Sequence, residues 1–329
     1  QIFRNEQQNL IHYGKFILGK SNDNNDIFDV LVFAHKGIET ATIPSFVRTI
    51  SSFAFKNSEQ LKEVQFSDES ELQLIEKYAF SNTSIEKIQI PKKVVRIGKD
   101  AFFFCLKLKN VEFTKDSSLR IIDEEAFLKS PLEEISIPLH VTKIGQKAMN
   151  CKKLKNVVFS EKAELKSICE YAFMKSLIES ITIPSSTTEI CDYAFSYCKK
   201  LKTVNISKNS ELRSIGNYAF EYTMIEKFYI PSKLNEIHEF WCTNVTQLNE
   251  ITISEDNTNF AYLNDKMIVT KSDPNDDAFD VLFFALRDIK KAVIPPTIKK
   301  ITSCCFNSCL KLTKIMFVGH SQLQTIPMH

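Results

Sequence analysis

Nine cysteines, six histidines and two acidic clusters are the groups in this 329-residue chain with the types to form disulfides, hold metal or attack a substrate. The histidines, at 12, 35, 140, 238, 320 and 329, are scattered, and none keeps a His/Cys or His/Asp spacing that closes a metal or nucleophile site. No G-x-S-x-G, G-x-x-x-x-G-K or G-x-G-x-x-G stretch occurs among only seven glycines. The chain therefore reads as non-enzymatic, with no catalytic residues, no metal and no cofactor.

The cysteines follow a pattern of their own. Cys105, Cys198 and Cys309 each fall three residues after a phenylalanine, and Cys151 falls at nearly the same place after Met149, where other stretches carry Thr83, Ser130, Ser176 and Thr223. If these stretches stack as successive coils, such positions lie roughly 10 Å apart two coils on, beyond the reach of a disulfide. These four read as small buried fillers. Cys169 and Cys191 instead occupy the slot of Gly98, Gly145 and Gly216 in neighbouring coils, and that pair alone is placed to bridge.

The acidic clusters are Asn22-Asp23-Asn24-Asn25-Asp26 with Asp29, and Asp273-Pro274-Asn275-Asp276-Asp277 with Asp280. They offer oxygen ligands for calcium but lack the glycine and closing glutamate of an EF-hand loop, so turn chemistry is the preferred reading. Three glycosylation sequons, at Asn82, Asn205 and Asn244, permit secretion without showing it.

The elements that position these groups are repeats. An Ala-Phe pair or its equivalent recurs at Phe55, Phe80, Phe102, Phe127, Met149, Phe173, Phe195, Phe220, Trp241 and Phe306, mostly in alternating steps of 25 and 22. Ile-Pro recurs at Pro44, Pro91, Pro138, Pro184 and Pro231 in steps of 46 or 47, so the unit is a pair of coils. Such a unit cannot bury its apolar face alone and must stack on its neighbours.

One coil type carries L-K-x-V-x-F, as in Leu108–Phe113, and the other I-E-x-I-x-I-P, as in Ile85–Pro91. Both alternate as short strands with one face buried, and the proline ends the strand. The second half of each coil, as in Ile97–Phe102, reads as a turn with a short helical or 3₁₀ segment. Parallel stacking lines up Lys62, Glu86, Lys109, Glu133, Lys155, Glu179, Lys202 and Glu226 in a ladder of alternating sign, which penalises a slip of one coil. Two apolar strands around an Asn/Asp-rich turn at 13–41 return at 266–295, displaced by 251 residues, and read as hairpins.

The stretches IPKKVVRIGKDAFFFCLKL and IPLHVTKIGQKAMNCKKL resemble the BspA-like leucine-rich repeats, also called the Treponema pallidum type, and the alternating coils resemble the protist members of that family. The resemblance implies a right-handed, curved solenoid of short parallel strands in surface-associated proteins linked to attachment to host matrix or other cells. The expected organisation is an array edge with a hairpin at 1–42, a solenoid at 43–253, a second hairpin interruption at 254–293 and resumed repeats at 294–329.

With 42 basic and 40 acidic residues interleaved, no block of one sign exists to follow nucleic acid or an anionic membrane. No apolar run spans a bilayer, and the chain starts without Met and stops inside a repeat, so it reads as a fragment with any signal or anchor outside it. The expected function is adhesion at the cell surface or after secretion, binding host or cell-surface protein or glycan through the concave face. The alternative is an intracellular, cytoplasmic scaffold for protein–protein interaction. The binding candidates on that face are Val158, Thr182, Thr203, Asn205, Lys227 and Tyr229, where the surface is less charged.

Overall fold

The structure, a computed structural model, describes residues 9–22 and 26–325. It divides into two compact units, Gln1–Ser176 and Leu177–His329. Both are β-solenoids, and among the described residues neither contains a helix.

Each coil of the first unit contributes two strands. The four-residue strands are those read from the sequence, such as Lys87–Ile90 and Asn110–Phe113. In Lys87–Ile90 the buried Ile88 and Ile90 alternate with the exposed Lys87 and Gln89, which is the signature of a sheet covered on one side. Proline then starts an i to i+3 turn, with the amide of Val94 donating to the carbonyl of Pro91 at 3.2 Å and that of Val141 to Pro138 at 3.2 Å.

The second strand has only two residues. Ile50, Ile75, Ile97, Ile122, Ile144 and Ile168 stand in register in a parallel ladder through the unit, all of them buried. Two residues are too few for alternation to show in a sequence, so this ladder went unseen there.

The segment expected to be helical or 3₁₀ is instead a corner of turns, and the backbone hydrogen bonds give the reason. Around each Ala-Phe pair the backbone donors alternate between two destinations. Phe53, Phe55 and Asn57 donate to Lys77, Ala79 and Ser81 of the next coil at 3.1, 2.8 and 2.9 Å, whereas Ala54, Lys56 and Ser58 close turns onto Ser51, Phe53 and Phe55. A helix sends its amides to its own chain and leaves none for the coil above. The turns place residues such as Phe53, Asn57, Tyr78 and Asn82 at φ values of 66°, 60°, 57° and 57°.

Within the corners Phe55, Phe80, Phe102 and Phe127 stack face on face, centroids 4.9, 5.2 and 5.2 Å apart. In the second unit Phe195 and Phe220 continue the same motif at 5.3 Å. Small residues after them satisfy carbonyls one coil back: the thiols of Cys105 and Cys151 donate to Phe80 and Phe127 at 3.1 Å each, and the Ser130 hydroxyl to Phe102 at 3.2 Å. Burial pushes the Cys105 thiol up to about 11, which makes it an inert filler with one hydrogen bond.

The two hairpins are three-stranded meanders. Leu10–Tyr13, Phe16–Gly19 and Val30–Ala34 form the first, and Phe260–Asn264, Met267–Thr270 and Val281–Ala285 the second. Each hands its last strand to the solenoid in parallel, Leu31 opposite Ile50 and Leu282 opposite Ile301. Buried Asp29 and Asp280 lock the two in the same way, each accepting from the amide and hydroxyl of Ser21 or Ser272 at 2.9 and 2.8 Å. At the second tip Asp273 accepts from the amide of Asn275 at 2.9 Å, which is turn chemistry, while Asp23, Asn24 and Asn25 of the first tip lie outside the described residues.

Candidate recognition face

The four-residue strands pair in doublets. Lys87–Ile90 pairs along its length with Asn110–Phe113, Glu134–Ile137 with Asn156–Phe159, Ser180–Ile183 with Thr203–Ile206, and Lys227–Ile230 with Glu250–Ile253. Between doublets the ladder parts: Thr203–Ile206 and Lys227–Ile230 share only the pair Thr203 and Lys227. The parting falls in the coils with the longer arm from strand to Ala-Phe corner, as Ser207–Leu212 compared with the shorter Pro184–Thr187.

In the second unit that parting opens a depression of about 640 Å³ whose lining includes Thr203, Asn205, Lys227, Tyr229, Glu250 and Thr252. Asn205 donates through Nδ2 to Oγ1 of Thr182 at 3.3 Å, and Tyr229 stands opposite Thr252 in register. Lys227 meets Glu250 at 2.7 Å, and that carboxylate holds the Lys227 ammonium above its usual range. The floor consists of side chains anchored by buried Val204 and Phe228, so the outward groups sit on a fixed base.

Five of the six candidates, Thr182, Thr203, Asn205, Lys227 and Tyr229, thus share one face of the second unit. Val158 belongs to the first unit, where it is 56% exposed opposite Ser136 and lines a separate depression of about 370 Å³ with Gln89 and Glu112. A third depression, about 490 Å³, opens where Glu63–Gln65 and Lys87–Ile90 fail to pair. Glu250 and Thr252 end the two outward columns of strand positions read from the sequence, next to Lys227 and Tyr229, but were not among the six preferred candidates.

The charge ladder is in register through its backbone: Glu86 donates to Lys62 at 3.3 Å, Lys109 to Glu86 at 2.9 Å and Lys155 to Glu133 at 2.7 Å in the first unit, and Lys202 to Glu179 and Glu226 to Lys202 in the second. Its side chains meet less often. Lys155 reaches Glu133 at 2.7 Å and lowers its pKa, and Lys62 turns to Glu39 at 3.0 Å, whereas Glu179 takes Lys200 at 3.7 Å. Among the described residues Glu86, Lys109, Lys202 and Glu226 form no ion pair. Cys169 lies in the first unit and Cys191 in the second.

A second, half-buried feature escaped the sequence reading. Tyr193 and Tyr218, both in left-handed corners, stack with Phe240 at 4.8 and 5.4 Å, with Tyr197 and Tyr222 alongside at 4.6 Å. Its signal was available, since Tyr-Ala-Phe recurs at 78–80, 171–173, 193–195 and 218–220.

Stacked parallel coils with an isoleucine ladder, a phenylalanine spine and short outward strands define a leucine-rich repeat solenoid. The pattern described as BspA type Leucine rich repeat region matches in six copies over residues 27–155, 166–267 and 279–329, and the chain belongs to that family. Among solved structures it is similar to a leucine-rich repeat protein from Bacteroides ovatus, 20% identical over 94% of this chain and 68% of that one, with a TM-score of 0.54. It is also similar to the T. pallidum leucine rich repeat protein (20%, 63% and 86%, TM-score 0.46) and to the pneumococcal vaccine antigen PcpA (17%, 97% and 99%, TM-score 0.44). The first of these overlays bears on the fold alone. No curated protein matches the chain.

Proposed function

We propose that this chain is a non-enzymatic recognition protein of the cell surface or secreted space, binding a protein or glycan through the face of its four-residue strands. The observation that carries this reading is the parted ladder at Thr203 and Lys227, with Asn205, Tyr229 and Thr252 presented around an open depression. A broad open surface with an aromatic ring, amide and hydroxyl groups suits an extended partner better than a small molecule, which needs an enclosed apolar pocket. Membership of a leucine-rich repeat family supports protein interaction as the coarse role. Among the described residues no helix is long and apolar enough to cross a membrane.

The test is antibody staining of intact cells compared with permeabilised ones, followed by binding to a panel of matrix proteins and glycans with Tyr229→Ala beside the unchanged chain. Staining of intact cells, and a ligand whose affinity falls about tenfold with Tyr229→Ala at unchanged melting temperature, is the expected result. Staining only after permeabilisation overturns the surface reading in favour of the internal scaffold.

A further inference from the structure

We propose that Asn205 is an N-glycosylation site and that its glycan masks the recognition face described above. The masking half rests on the proposed function, and the modification half does not.

The three sequons differ sharply once folded. Asn82 is half-buried in a left-handed corner at φ 57°, its Nδ2 donating to Oδ1 of Asn57 at 3.2 Å and its amide to Phe103 at 2.8 Å. Its sequon serine, Ser84, is half-buried, and the intervening Thr83 is buried with its hydroxyl 3.4 Å from the Cys105 sulfur. Asn244 occupies the equivalent corner at φ 59°, half-buried, with its amide held by Asn307 at 3.1 Å. An oligosaccharide at either corner roots on a half-buried side chain.

Asn205 differs in exposure and in backbone. It lies in the strand Thr203–Ile206 with an outward, exposed side chain, and its sequon serine, Ser207, is exposed as well. Its one side-chain partner is the Thr182 hydroxyl, and a glycosylated amide keeps one N–H for that bond. On the side away from Thr182 the strand Lys227–Ile230 has parted, and there Asn205 lines the open depression.

The reaction uses a lipid-linked oligosaccharide as donor. The Asn205 Nδ2 forms a bond to the anomeric carbon of the first sugar and loses one proton, while the lipid diphosphate leaves. Transfer acts on the chain before folding is complete, so the fold selects by what the finished coil tolerates. A branched glycan rooted at Asn205 then covers Thr203, Lys227 and Tyr229, and occupancy decides whether the face is open.

The test is to secrete the full chain from a eukaryotic cell behind a cleavable signal, remove N-glycans enzymatically in heavy-oxygen water, and map labelled aspartate by mass spectrometry. A control variant, Asp116→Asn, makes an Asn-Ser-Ser sequon in an exposed turn and reports that the chain met the transferase. The expected result is label at 205, little at 82 or 244, and loss of the mobility shift in Asn205→Gln at unchanged melting temperature. Label at 116 in the control with none at 205, or label at 82 and 244 equal to that at 205, overturns the site. If 205 is labelled, binding to the ligand found by the panel is compared before and after deglycosylation. Unchanged affinity overturns the masking while leaving the site and the surface reading standing, and absence of any ligand counts against the proposed function alone.

Discussion

At the scale of single residues, tight backbone approach and buried carboxylates decide most. A Cβ on Gly145 would meet the Glu124 amide nitrogen at 2.6 Å and the Asp123 carbonyl carbon at 2.7 Å, and backbone cannot step aside. Gly145→Ala is expected to cost about 1–3 kcal/mol, read by chemical denaturation. Asp280 is a second such point. Burial alone raises its pKa, yet the Ser272 hydroxyl and amide and the Lys299 ammonium outweigh that and hold the carboxyl below its ordinary 3.8. The stabilisation is thus complete above the unfolded pKa, near 4, and is lost as pH falls through the lower folded value. Asp280→Ala should lose about 1–3 kcal/mol at neutral pH and flatten the fall in melting temperature between pH 5 and 3.

At the scale of elements, the coil is held by its spine and kept in register by its edges. Phe102 is fully buried between Phe80 and Phe127, so Phe102→Ala opens a cavity that the flanking rings cannot fill. A loss of about 3–5 kcal/mol is expected from thermal unfolding, with Phe102→Leu losing much less. Lys109→Glu tests the ladder. Its backbone is bonded to Glu86, and Glu133 occupies the next place in the column, so the variant sets three negative charges in a row. It should lower the melting temperature at low salt, and the loss should shrink in 1 M salt, where the screening length is ~3 Å. An unchanged melting temperature at both salt concentrations would remove the ladder from the account of register.

At the scale of the whole molecule, a net charge of +2 from interleaved residues gives no long-range field to draw in a partner. Contacts around Asn205 and Tyr229 are short-ranged, and the Lys227–Glu250 ion pair there is already internal to the face. Affinity for the ligand, once found, should therefore change little between 50 and 300 mM salt by titration calorimetry, whereas a steep fall would point to a partner bound through the lysines.

The sequence by itself determined the repeat, the strand ends at proline, the alternating coil lengths, the buried phenylalanines and cysteines and the hairpins, because each is a local rule written many times over. It also placed the six candidate residues in two neighbouring columns, since a parallel stack sets like above like, though not that Val158 falls in a different unit from the other five. It could not show the two-residue isoleucine ladder, which is shorter than one period of strand alternation, or the corner turns, whose left-handed residues exist to send every second amide to another coil. Nor could it show that the sheet parts between doublets, because pairing depends on how the longer arms set adjacent coils apart. Those are contacts between residues more than twenty positions distant, and only the stacked coils decide them.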